Sequence, residues 1–399
     1  MSLISRIDKH QMCLGCGLCE GLSRNGEVKT VLGKDGFLHP KILQESNSLN
    51  SKIKEVCPSL NVSNIGGENE LWGNIENIYS GYAIDKEVRH RGSSGGIGSG
   101  LAIYLLEKNI VDGILHVGSD IKNYKSNSLK ISRNRLDVLN NASSRYAPAL
   151  IFNNFFNILE NTSEKFGFIG KPCDVSAINN LRKYYPQIKN RIKFTIAIFC
   201  AGMPSYRATK ELIDENNPKH PITDLQYRGN GWPGNFSFKD NDNYLYEMSY
   251  NDTWGRILNK HLHFRCKICP DGIGLEADFV IGDSWETESG YPDFSEKDGK
   301  SLVISRTTEA SAILNRAFKD NYLHLENENI ERLKYIQPYQ YHRRMVSGIR
   351  LIPVKLLFGL KINFINTFLW KNILTLPYNI IFREFVGALK RTLKIKFKL

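Results

Sequence analysis

The reactive vocabulary of this chain is dominated by its eight cysteines. Three form Cys13-x-x-Cys16-x-x-Cys19, and Cys57, followed by Pro58, comes later. Thiolates at this spacing can wrap three corners of a 4Fe-4S cube, and small residues such as Gly15 and Gly17 let backbone amides turn toward the sulfides. No second triplet exists, so Cys57 is expected to close the same cluster. Zinc is the competing reading, because C-x-x-C pairs also bind zinc, although zinc sites rarely use a triplet.

The other four cysteines are dispersed, and topology is what links them. Cys173 ends Gly170-Lys-Pro-Cys173 directly after one strand-like run, and Cys200 opens Cys200-Ala-Gly202 directly after the next. Their separation is that of one βαβ unit. If the two strands are parallel, both thiols emerge at the carboxyl edge of one sheet, where α/β folds place their ligands. Cys266-x-x-Cys269-Pro270 then offers a third and a fourth ligand for a second cluster. The alternative is that Cys173 and Cys200 are buried small apolar side chains.

Arg91-Gly-Ser-Ser-Gly-Gly-Ile-Gly-Ser-Gly100 precedes an amphipathic stretch running to Lys108. Free amides at a helix start attract phosphate, and the Ser93 and Ser94 hydroxyls can add donors, so the loop suits the pyrophosphate of a dinucleotide. It is not G-x-G-x-x-G, since Leu101 or Ile103 takes the last position, and a plain turn is the competing reading. Asp283, with Trp285 close behind it, follows a strand-like run. There it could hold a backbone amide or a proton-transfer position, and a turn cap is the commoner use. Arg228 and Trp232 suit either a substrate pocket or plain packing, while His261 and His263 read as surface residues.

The elements that must position these groups follow from periodicity. Apolar runs at Gly113 to Gly118, Lys165 to Ile169, Phe194 to Phe199 and Ala277 to Gly282 read as strands. Helix spacing from Ile97 to Lys108, Val175 to Tyr185 and Ser205 to Ile213 lies between them, and residues 216–299 read as loop-rich. The expected fold class is mixed α/β. Four regions are expected: a ferredoxin-type 4Fe-4S module over residues 1–73, a dinucleotide-binding part over 74–160, a part carrying the second cluster over 161–335, and a basic amphipathic tail over 336–399. No apolar run precedes the first cysteine, so no signal peptide is expected, and a reducing cytoplasm favours metal ligands over disulfides. From Arg350 onward ten basic residues face Glu384 alone, which localises most of the net charge of +12 and argues against a nucleic-acid-binding body. Ile381, Phe385, Leu389 and Leu393 share one helical face there. That pattern suits a helix lying on the inner membrane face, or one docking on the protein's own body.

Together, CLGCGLC with Cys57-Pro58, GSSGG before a helix, GKPCD, FCAGMPS, CKICPDGIGLEADFVIGDSW and Ser305-Arg-Thr307 resemble the coenzyme F-420 (deazaflavin) hydrogenase/dehydrogenase beta-subunit family. The resemblance covers roughly residues 8–335 in the family's order. It implies an FAD-binding flavoprotein with two 4Fe-4S clusters, the second on Cys173, Cys200, Cys266 and Cys269. It maps the family's glycine segment onto Ser93, Ser94, Gly95 and Gly96, and a GTPC-like turn onto Gly170, Lys171, Pro172 and Cys173. Lys171 replaces the usual threonine, and its ammonium could meet an anionic flavin or substrate group. With Asp283 it is a weak catalytic candidate. The implied activity is that of an oxidoreductase passing electrons from a ferredoxin-like or deazaflavin carrier to an organic substrate, with surface polysaccharide biosynthesis as one setting. The rival readings are an electron-transfer subunit without its own substrate and a zinc-organised interaction protein.

Overall fold

The computed structural model describes residues 1–64, 71–120, 123–288, 290–368 and 370–398, so Leu369 and Leu399 of the tail lie outside the described residues. The N-terminal segment opens with the helix Leu3–Lys9, capped by the Ser2 hydroxyl. An antiparallel hairpin of β1 (Val28–Leu32) and β2 (Leu38–Ile42) follows. The helix Asn47–Val56, capped by Ser46, then ends at Cys57, before β3 (Asn61–Ser63).

A mixed eight-stranded sheet forms the body. Its first members are β4 (Asn77–Ala83), β5 (Gly113–Asp120), β6 (Asn123–Ser132), β7 (Phe166–Gly170) and β8 (Ile192–Ile198). A separate antiparallel sheet of β9 (Ile222–Gln226), β10 (Phe236–Asp240) and β11 (Leu245–Met248) precedes β12 (Phe279–Asp283). The short hairpin β13 (Thr287–Glu288) and β14 (Tyr291–Pro292) leads to β15 (Ser301–Ser305) and β16 (Leu323–Asn327), and β17 (Asn363–Ile365) pairs with β3. The strand order is β16-β4-β15-β12-β8-β7-β5-β6. Neighbours among β5, β7, β8 and β12 are parallel, whereas the outer strands are antiparallel.

Side chains alternate across a strand, so the central strands feed two cores. Phe194, Ile196, Phe279 and Ile281 face the helices Ile97–Glu107 and Thr308–Lys319. Phe168, Ala197 and Val280 face the helix Pro172–Tyr184, and that core runs on to Met12 and Leu18 beside the first cysteines and to Phe358 of the helix Pro338–Phe358.

The mixed α/β class matches the sequence expectation, as do the four strand runs read from periodicity. Residues 216–299, expected as loop apart from one strand, instead hold β9, β10 and β11, which bury Phe236 and Phe238 in a core of their own. Their single alternating strands are broken by charges and asparagines, which masks the period. The expected tail helix forms as Tyr378–Phe397 and packs on Pro338–Phe358. Among the described residues no helix is long and apolar enough to cross a membrane.

Candidate functional site

Cys13, Cys16, Cys19 and Cys57 line one small cavity. Positive φ at Gly15 and Gly17 (65° and 79°) turns the loop back on itself, a conformation glycine adopts without strain. The Gly15 amide donates to Cys13 Sγ at 3.4 Å. The amides of Leu18, Glu20 and Ser59 approach Cys16, Cys19 and Cys57 in the same way. Burial, reinforced by the neighbouring thiols, pushes Cys13 and Cys16 well above the ordinary thiol range. Ligand binding here must therefore expel protons.

The parallel pairing of β7 and β8 brings Cys173 and Cys200 out at one sheet edge, and Cys266 and Cys269 lie near enough to act on them electrostatically. Burial pushes Cys200 up to about 12, with Cys266 adding to the rise. Buried arginines gather around this quartet. Arg306, from the Ser305-Arg-Thr307 motif, donates to the Ile273 and Gly274 carbonyls at 2.9 and 2.7 Å and so holds the loop after Cys269. Arg343 donates to the Cys200 carbonyl at 2.9 Å. Arg265 joins the two quartets: it neighbours Cys266 and donates to the Pro58 and Ser59 carbonyls at 3.1 and 3.2 Å. Its Nη1 and the Nε of Arg343 have no hydrogen-bond partner. Burying cations without ion pairs is costly, and anionic thiolate clusters would supply the missing counter-charge. Among the described residues, no three His, Cys, Asp or Glu side chains draw together tightly enough to hold one metal ion.

A cleft of about 810 Å³ opens at the carboxyl edge of the parallel strands. It is lined by Ser93, Ser94 and Gly96 at one side and by Lys171, Cys200, Arg228 and Asp283 at the strand ends, with Tyr250 and Trp285 among its aromatic walls. Lys171 Nζ pairs with Asp174 Oδ2 at 2.8 Å. Burial opposes its charge, but Asp174, with Cys173 and Cys200 adding to it, more than offsets this and holds the ammonium protonated. Asp283 accepts from Arg228 Nη1 and Nη2 at 2.9 and 2.8 Å and from Trp232 Nε1 at 2.8 Å.

Two models of one family match this chain: the N-terminal part of the beta subunit of coenzyme F420 hydrogenase/dehydrogenase over residues 78–154, and its C-terminal part over 163–331. The chain belongs to that beta-subunit family. The coenzyme F420 hydrogenase subunit beta of Methanococcus voltae is 27% identical over 274 residues, covering 66% of this chain and 88% of that relative. The coenzyme F420-dependent sulfite reductase of Methanocaldococcus jannaschii is 24% identical over 349 residues, covering 84% of this chain and 50% of that protein. A chain of the F420-reducing [NiFe] hydrogenase complex from Methanosarcina barkeri shares the fold, with a TM-score of 0.53 at 20% identity over 69% of this chain and 92% of that one. The glycine loop and the inner cysteines of this chain fall within the matched residues. The outer cysteines and the C-terminal helices fall outside them.

The structure gives each of the residues singled out in sequence a protein environment, and the readings of Asp283 and His263 change. Gly95 serves the sheet: a Cβ there would sit 2.5 Å from the Gly81 carbonyl and 2.7 Å from the Ser301 amide. Ser93 Oγ accepts from the Ser144 amide at 2.6 Å, and Ser94 Oγ bonds Ser301 Oγ at 2.8 Å, so both hydroxyls have protein partners. Asp283 is an ion-pair anchor and not a turn cap. Arg228 lines the cleft, whereas Trp232 is buried behind it, stacked on Trp285 with ring centroids 4.7 Å apart. His263 is no surface residue: burial lowers it to about 3, and its Nδ1 accepts from the Arg265 amide. His261 stays partly exposed, paired with Glu211. Sequence reading missed Arg145 in the cleft wall and the Arg343 approach, because neither carries a local motif.

Proposed function

We propose that this chain is an iron–sulfur flavoprotein oxidoreductase that takes electrons from a ferredoxin-like or deazaflavin carrier and delivers them to an organic substrate. One juxtaposition carries the reading: the inner cysteine quartet borders, through Cys200, the same cleft that the glycine loop enters. Cys13, Cys16, Cys19 and Cys57 would hold an outer 4Fe-4S cluster and Cys173, Cys200, Cys266 and Cys269 an inner one. FAD would lie in the cleft against residues 92–99. When bound, clusters supply single-electron transfer and the flavin supplies hydride chemistry, pairing electrons that arrive singly.

The chain's own residues prepare that site. The Lys171 ammonium offers a fixed positive charge beside Cys173, suited to an anionic ring or phosphate. Arg228, locked by Asp283, holds its guanidinium against the Tyr250 and Trp285 rings. Aromatic walls with amide and guanidinium groups suit a polyhydroxylated substrate, which supports a sugar-linked compound of surface polysaccharide synthesis. Four sulfurs around one zinc would stand about 3.8 Å apart, given a Zn–S bond of about 2.3 Å. A Cys-x-x-Cys-x-x-Cys triplet closed by a distant Cys-Pro favours a cubane, whose thiolates bind different irons.

Anaerobically purified protein should hold about eight iron and eight sulfide per chain, the content of two cubanes, together with one FAD. Four of each removes the inner cluster, and a colourless zinc-loaded preparation overturns the reading. The matches to beta subunits favour a second reading, an electron-transfer subunit serving a larger complex. Substrate turnover by the isolated chain separates the two. The partners required are the electron carrier and the substrate.

A further inference from the structure

The helix Tyr378–Phe397 uses only one of its faces to pack on the body. Ile381 and Phe385 turn onto Met345, Val346 and Ile349, and Ala388 and Thr392 are buried along the same line. At 100° per residue, Phe382, Val386, Leu389, Leu393 and Phe397 fall on a second stripe, turned about a third of a revolution away. Phe382 and Phe397 at its ends are 62% and 59% exposed, and Val386, Leu389 and Leu393 between them are half-buried. Further exposed apolar side chains lie just before it: Trp370 on the helix Trp370–Ile373, Leu374 in the turn that follows and Tyr378 at the start of Tyr378–Phe397, with 53%, 83% and 82% of their surfaces exposed. Of the face read from sequence, Ile381 and Phe385 dock on the protein's own body, as one of the two sequence readings had it.

Charge follows the same surface. Arg383, Lys390 and Lys394 flank the stripe on one side and Lys396 on the other, and among the described residues none of the four makes an ion pair. The single acidic residue of the segment, Glu384, is already taken by Arg350 at 2.8 Å and His342 at 3.2 Å. We infer that this face, from Trp370 to Phe397, docks on an anionic lipid surface with the helix lying in the plane of the interface. Exposed apolar side chains bordered by lysines fit that environment, because aromatic rings settle at headgroup depth and lysine stems reach back to the phosphates. A protein partner is disfavoured, since lysine is depleted from protein interfaces. A nucleic acid would meet the lysines and leave the apolar stripe in water. The segment lies outside the family-matched residues, and no cysteine or cleft residue takes part, so the proposal stands or falls separately from the redox reading.

The test is flotation of the full-length, anaerobically purified protein with vesicles of phosphatidylcholine containing one third phosphatidylglycerol, at low salt. Binding is expected to these vesicles, to be absent on pure phosphatidylcholine, and to be released by high salt. Lys390→Gln with Lys394→Gln should cost about twenty-five-fold in partition, at about fivefold per basic residue. Phe382→Ser with Phe397→Ser, at exposed positions, should weaken binding while leaving melting temperature and cofactor content unchanged. No flotation overturns the proposal. So does flotation that both double variants leave intact, or retention on duplex DNA without vesicle binding.

Discussion

Replacing Asp283 by asparagine separates three roles for that residue. A turn cap would tolerate the change, because asparagine caps as well as aspartate and the cost would stay within about 0.5 kcal/mol. The geometry requires more. Arg228 and Asp283 have side chains only 3% and 19% exposed, and the carboxylate takes both Nη donors as well as the Trp232 indole. An amide offers one acceptor oxygen and no charge, so at least one guanidinium donor and the buried cation lose their partner. Breaking a buried pair from one side costs about 3–5 kcal/mol. The retained hydrogen bond places the asparagine variant near the lower end, at about 3 kcal/mol. Guanidinium chloride unfolding of wild type, Asp283→Asn, Arg228→Met and the double variant gives the coupling directly. The double variant should be less destabilised than the sum of the single ones, because it leaves no orphaned charge. A loss below about 1 kcal/mol for Asp283→Asn, or strict additivity, refutes the anchor. Were Asp283 instead a proton donor, stability would hold and only the pH dependence of turnover would move.

Cys57→Ser is expected to yield folded, flavin-loaded protein that dithionite still reduces but reduced ferredoxin reduces slowly. Cys269→Ser, in the loop that Arg306 and Asp271 organise, should give poorly soluble or flavin-depleted protein, and the reverse pattern shows the quartets assigned wrongly. Gly98 lines the cleft, and a Cβ there meets only ordinary contacts at 3.7 and 3.9 Å, so Gly98→Ala should fold and gain up to about 1 kcal/mol of helix propensity. Gly98→Phe should expel the flavin, and full flavin absorbance in that variant would move the flavin out of the cleft. Gly95→Ala should damage the fold itself. Burial lowers His116 to about 4, so its contribution to stability is complete above about 6.5 and lost as pH falls toward 4. The Asp8 hydrogen bond raises His39 to about 9, so its contribution is complete below about 6.5 and lost as pH rises toward 9. Melting temperature against pH should therefore lose its acid limb partly in His116→Asn and its alkaline limb partly in His39→Asn. Unchanged limbs would show that these histidines are not so perturbed.

The residues that could do redox chemistry were legible without a fold, because thiol spacing and glycine turns are local. Cys13-x-x-Cys16-x-x-Cys19 determines its own loop, and runs such as FTIAIF at residues 194–199 announce buried parallel strands by being apolar on both faces. That Cys173 and Cys200 leave one sheet edge followed from strand order, which sequence could only suppose and the parallel pairing of β7 and β8 decided. Tertiary structure alone decided what lies on the far side of each residue. That Gly95 must be glycine for the sheet itself, because the Gly81 carbonyl fills the space a side chain would need, was invisible in sequence. Asp283 looked like a cap until Arg228, distant in sequence, closed on it. Ile381 and Phe385 suited a lipid face or the protein's own body equally until the helix Pro338–Phe358 covered them. In each case a periodic or local signal stated which face of an element is apolar or tight. Only long-range packing stated what that face meets.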